Sequence, residues 1–159
     1  MRSRDLQHAL ADILRGINGA GGYYTEAGAY VQVGGTLDDR QERRDQIIVS
    51  PTRKDYRAEI RGESQAFATG ATSRFMADWS FDITACAFGL ADDLPGDRLM
   101  DLLDDVERAL MLADVVRVGS AGFPIQIVST DFTPRPDGAD AEMAVTTVRL
   151  TSPQAWAKT

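Results

Sequence analysis

Histidine and cysteine are almost missing from the 159 residues, with one of each, His8 and Cys86. A Ser–His–Asp or Cys–His arrangement has only His8 to build on, and no neighbouring motif points there. A lone cysteine excludes an intrachain disulfide framework and fits a reducing compartment. Long apolar runs are lacking too. No stretch approaches the ~20 residues of a membrane span, and the opening MRSRDLQHALADIL has no signal-peptide core. The expectation is a chain made and folded in a cytoplasm, without a membrane partner. Basic residues are the minority, 17 against 24 acidic, for a net charge of −7. That balance counts against a general nucleic-acid binder, which neutralises phosphates with Lys and Arg. It suits a wall past which DNA slides, and equally any soluble protein.

What remains is ordinary globular material, 43% hydrophobic and 26% charged, of a length usual for one domain. Leu6, Leu10, Ile13, Leu14 and Ile17 make one stripe at helical spacing, startable by Ser3 or Asp5. Gly16, Asn18 and Gly19 suit a left-handed exit. A short strand is expected around Val31 and Val33, and another over 47–50, ended by Pro51, after which Tyr56, Ala58 and Ile60 alternate. The charge-dense 37–46, LDDRQERRDQ, reads as an exposed loop, and the small, polar 62–74 as a mobile connection.

The strongest alternation lies at 74–88, with Phe75, Trp79, Phe81 and Ile83 on one face and Asp78, Ser80, Asp82, Thr84 and Cys86 on the other. At ~3.3 Å per residue such a strand outruns the globule, so it bends at a bulge or protrudes. A second helix follows, with Asp97 as N-cap, an apolar face of Leu99, Leu102, Leu103, Val106, Ala109 and Leu110, and an Asp104–Arg108 pair. A long hairpin closes the chain, 123–133 and 141–151, turned by PRPDGAD and ended by Pro153, with a loose tail despite Trp156. The fold class is therefore α+β: an antiparallel-dominated sheet, two amphipathic helices on one face, and one domain over 1–159.

Candidate chemistry is thin. His8 lies on the polar side of the first helix, and Cys86 has no neighbour that would lower its pKa. GSAG at 119–122 lacks the spacing of a nucleophile elbow, and GINGAGG at 16–22 follows a helix where a dinucleotide fingerprint must follow a strand. Asp104 and Asp105 diverge by about 100° on a helix and do not converge on an ion. Neither DDLPGD nor DGADAE has the ligand pattern of a calcium loop. Neither a catalytic group, a metal site nor a cofactor is assigned. The remaining candidates are protein-interface residues, Arg40, Glu42, Arg43 and Arg44, a basic cluster whose interleaved acids disfavour phosphate.

In layout the chain resembles phage tail terminators, also called tail completion or minor tail proteins, which include gene-transfer-agent relatives. The resemblance runs through GGYYTEAGAYVQVG after the opening helix, QIIVSP after the charged loop, FMADWSFDITACAF, DRLMDLLDDVERALM and the closing hairpin. It implies a structural, non-enzymatic virion protein: a homohexameric ring at the head-proximal end of a tail. Such a ring meets the tail tube protein and the head–tail connector or stopper, and DNA passes its lumen without specific binding. Loops 36–46 and 62–74 are the expected contact loops, and unpaired edges of the long strand and hairpin are expected to extend a neighbour's sheet. Two other readings stay open: another neck or head-closure component, and a small cytoplasmic enzyme or ligand-binding α+β domain.

Overall fold

The computed structural model describes residues 3–35, 44–58, 72–89, 94–133 and 141–157. Helix α1, Ser3–Arg15, turns its leucines inward, so that Leu6, Leu10 and Leu14 are fully buried. Each such side chain removed from water contributes about 1.5–3 kcal/mol. Gln7 fastens the helix to the sheet by donating from Nε2 to the Val49 carbonyl, 3.1 Å away. Beyond α1 the chain does not exit left-handed at Gly16, Asn18 or Gly19. Asn18 is extended instead and caps a short 3₁₀ turn, Gly19–Gly21, by accepting from the Gly21 N–H; the left-handed residue is Gly22, φ 82°. A second 3₁₀ turn, Ala27–Tyr30, packs against the end of α1. Gly28 is obligatory there, because a Cβ would sit 2.3 Å from the Ile17 carbonyl oxygen that its own N–H bonds.

Among the described residues, six strands follow the order β1-β2-β3-β6-β5-β4. They are β1 Val31–Val33, β2 Gln46–Ala58, β3 Thr72–Phe88, β4 Val115–Val118, β5 Ala121–Thr133 and β6 Ala141–Ala157. Only β1 and β2 are parallel; the other pairs are antiparallel. The fold is α+β, with a mixed, largely antiparallel sheet and a long hairpin formed by β5 and β6. Helix α2, Pro95–Ala113, packs beside α1 and against β3 and β6. One core joins Leu6, Leu10 and Leu14 to Leu102, Val106 and Leu110, over Ile47, Phe81, Ile83, Val148 and Leu150.

Several boundaries differ from the sequence expectation, and proline explains two of them. Pro51 does not end β2: the strand continues to Ala58 through a bulge between Pro51 and Arg53. Pro153 does not end β6, which pairs with β3 as far as Ala157. Each proline stands where one flank of its strand carries no described neighbour, since β1 reaches only Val49 and β5 only Leu150. An absent N–H is tolerated at such an edge. The tail over 152–157 is therefore strand, and so are residues 72–74 of the expected connection. Strand β3 does not bulge, and among the described residues it pairs with β6 throughout and with β2 from Phe75 to Cys86, which leaves no open edge over that stretch. The expectation of an open edge on the long strand is thus corrected.

Two features of α2 are also corrected. The helix starts one turn earlier than Asp97, with Pro95 at its first position and Leu94 as an N-cap that supplies no side-chain bond. Proline is suited there by its fixed φ and missing N–H, and Asp97 still faces the helix dipole favourably. GSAG is the tip of the β4–β5 hairpin, strand to strand, and the short β4 was not foreseen. The PRPDGAD turn lies outside the described residues.

Candidate functional site

The best-organised polar region is the corner where α2, the 3₁₀ turns and the start of β2 meet. Asp105 is 1% exposed, and its two oxygens accept from the backbone N–H groups of Tyr24 and Thr25, at 2.9 and 2.7 Å. One turn on, Arg108 donates to the Gly22 carbonyl and lies over the Tyr23 ring, 5.0 Å from its centroid. The expected Asp104–Arg108 pair is not made, because the guanidinium reaches inward to residues 22–23. Two side chains of one helix thus grip the segment that leads to Tyr30.

Tyr30 in turn supports Arg44, whose guanidinium carbon stands 3.6 Å from the ring centroid. A cation stacked on an aromatic face gains about 0.5–2 kcal/mol. Next to it, Asp45 is 6% exposed and its Oδ2 meets Arg98 Nη2 of α2 at 2.6 Å. Burial pushes the Asp45 carboxyl above its ordinary value; Arg98 and the Phe88 backbone amide pull it back incompletely, and Asp101 adds to the rise. With Tyr24, Thr25, Glu26 and Phe88 these groups line an open pocket of about 290 Å³.

Of the interface residues proposed from sequence, Arg44 is half-buried in this corner, while Arg40, Glu42 and Arg43 lie outside the described residues. The segment 37–46 is not wholly an exposed loop: Asp45 and Gln46 are buried, and Gln46 already belongs to β2. Asp45, Arg98 and Asp105 escaped sequence reasoning, because the bonds that define them span 53 to 81 positions. Tyr30 escaped it as well, since its stacking partner, Arg44, sits within a charged run that reads as solvated. The one available signal was an aspartate on what helical periodicity makes the inner side of α2.

His8 is exposed on α1. Cys86 is buried, and burial together with the Asp45 charge pushes its thiol up to about 11. A thiol in that state is a poor nucleophile at neutral pH. Among the described residues, no group of three or more His, Cys, Asp or Glu side chains is placed to hold a metal. Nor, among them, is any helix long and apolar enough to cross a membrane. The corner fastens three segments to one another, and every step of the fastening is a hydrogen bond, an ion pair or a stacked cation.

The class defined is an α+β domain whose mixed sheet carries two helices on one face. No protein-family model matches the chain, and no curated protein matches it. Among solved structures it is similar to a sheath/tube terminator, in the extended state, of an extracellular contractile injection system, PVC. The TM-score is 0.50 and the identity 13%, over 98% of this chain and 58% of that one. The chain thus spans less than two thirds of that terminator's length, and at this identity the likeness is one of fold.

Proposed function

We propose that this chain is a tail terminator: a structural subunit that forms a ring, closes the end of a phage or phage-like tail tube and presents the surface to which a head connector docks. The observation that carries the reading is the fold shared with a sheath/tube terminator across nearly the whole chain. The chemistry of the site agrees with it, since the buried polar groups fasten segments and the one thiol is held protonated.

On this reading six copies make the ring. Its partners are the tail tube protein on one side and the head–tail connector on the other, and the protein resides in the virion tail. The acidic chain, net −7, gives DNA a wall with little attraction for phosphate. Arg40, Glu42, Arg43 and Arg44 form a contact with a neighbouring assembly protein, Arg44 being pre-set on Tyr30.

Electron microscopy of the purified protein mixed with tail tubes tests the reading directly. Rings seated on tube ends, with tube length held constant as the protein is added, are expected. Bare ends and unchanged tube growth at saturating protein would remove it. Replacing Arg40 and Arg43 with Ser should leave the fold intact and impair joining. Arg44 is best left in place, because its loss also strips the Tyr30 stack.

A further inference from the structure

The two flanks of the sheet are unfinished in complementary ways. On one flank β1 covers only Ile47–Val49 of β2, so the outer edge of 51–58 has no strand beside it among the described residues. On the other, β4 covers only Ala121–Pro124 of β5, and 126–133 is likewise open among the described residues. Open edges present rows of backbone donors and acceptors that a further strand satisfies.

Side chains distinguish the two edges. Beside the β5 edge runs a groove against α2, lined by Met100, Leu103, Glu107, Ile127, Thr130 and Phe132. Met100 and Phe132 are 51% and 58% exposed, Asp104 and Glu107 stand exposed beside them, and Asp131 is exposed on the opposite, polar face of the sheet. The β2 edge is more basic: Arg53, ion-paired to Asp55 at 2.8 Å, points to the sheet's polar face, while Lys54, over the Trp79 ring, and Tyr56 lie on the helix-bearing face, Tyr56 66% exposed.

We propose that copies of this chain join head to tail through these edges, the 51–58 edge of one adding antiparallel to the 126–133 edge of the next. The polarity follows from the alternation of β2, β3, β6 and β5, which run in opposite directions in turn. In a continued sheet the faces stay matched. Arg53 then meets Asp131 on the polar face, while Tyr56 enters the groove at Ile127 and Lys54 faces the acids of α2. A contact between two different patches generates a ring or a filament and never a closed dimer.

Stagger favours closure. The open stretch of β2 lies level with Phe75–Phe81 of β3, and that of β5, through β6, with Ser80–Cys86. An offset of about five residues across four strands, at ~3.3 Å per residue and ~4.8 Å per strand, inclines the join by roughly 40°. Closed sheets tilt their strands by about that much. The inference rests on the ring assembly proposed above, and it is indifferent to what the ring caps.

Charge reversal tests it. Arg53→Asp and Asp131→Arg, each alone, are expected to weaken association by roughly tenfold per contact, read by sedimentation. Mixing the two variants, or combining them in one chain, should restore assembly to near wild type. Oxidation of Lys54→Cys with Thr130→Cys, both in a Cys86→Ala chain, should give a ladder of covalent multimers. Single variants that assemble normally, a mixture that fails to recover, or no ladder, would each overturn the edge pairing, as would a wild-type chain that stays monomeric with and without tail tubes. Tube capping unaffected by Arg53→Asp would sink this interface and leave the terminator reading standing. Rings with the expected charge behaviour that ignore tube ends would do the reverse.

Discussion

Asp105 and Asp45 are both buried carboxylates in one corner, held in opposite ways. Asp105 commits both oxygens to backbone N–H groups and closes a loop onto a helix. Asp45 has one guanidinium and one backbone amide, that of Phe88, and burial still raises its pKa above the ordinary value. A carboxylate fed by two fixed amide dipoles adds stability, whereas one whose main partner is a long side chain is a compromise between desolvation and attraction. The lesson is that burial alone says nothing about the sign of a charge's contribution.

The contrast is broken most severely at Asp105. Asp105→Ala leaves the buried Thr25 amide and the part-buried Tyr24 amide without an acceptor, and a loss of about 2–3 kcal/mol is expected in urea unfolding. Asp105→Asn, which retains one good acceptor, should lose less. A neutral result for the alanine variant would mean that water takes over both bonds. Arg98→Ala comes next, at about 2 kcal/mol near pH 7, reduced from the value for a fully buried pair because the Arg98 side chain is 24% exposed. That loss should shrink as the pH falls and Asp45 takes up a proton.

Asp45→Asn sharpens the comparison through pH. Because the folded-state pKa of Asp45 is raised above 3.8, the native protein holds its proton longer than the unfolded chain. This contribution is fully present below about pH 4 and is lost as the pH rises through the raised value. The asparagine variant, which cannot ionise, should therefore gain on the wild type from acid towards neutral pH. A difference that stays flat between pH 3 and pH 7 would contradict the raised value. The smallest effect is at Cys86, whose thiol, raised to about 11, should label with a thiol reagent at pH 8 only as fast as the domain opens. Labelling at the rate of a free thiol would show an exposed residue.

Periodicity made much of the architecture readable in advance. The leucine spacing of α1 and α2 and the alternation through Trp79, Phe81 and Ile83 needed no tertiary information, since each repeats the geometry of its own element. Pro51 and Pro153 misled because a proline ends a strand only when both flanks are paired, and neighbours are not visible in a local window. VVRV, now β4, was too short for its alternation to register. The polar corner was illegible for a different reason. Asp105 is separated from Asp104 only by its place on the inner side of the helix, which does not say what it bonds, and Asp45 sits within a run of charges that reads as solvated. Only the packing of α2 against residues 22–30 and 44–45 distinguishes them.

Strands β3 and β6 face one another along their entire seventeen-residue length with no slip in register. The β2–β3 hairpin joins this pair at Thr72, and the β5–β6 hairpin joins it at Ala141, the opposite end. A tension applied between the two hairpins therefore slides one strand along the other. Cross-strand hydrogen bonds lie perpendicular to that motion, so they share the load together instead of rupturing in succession. The same pair pulled apart at one end would peel. This places a stiff tie-rod through the middle of the sheet, strongest along the axis that its two ends define.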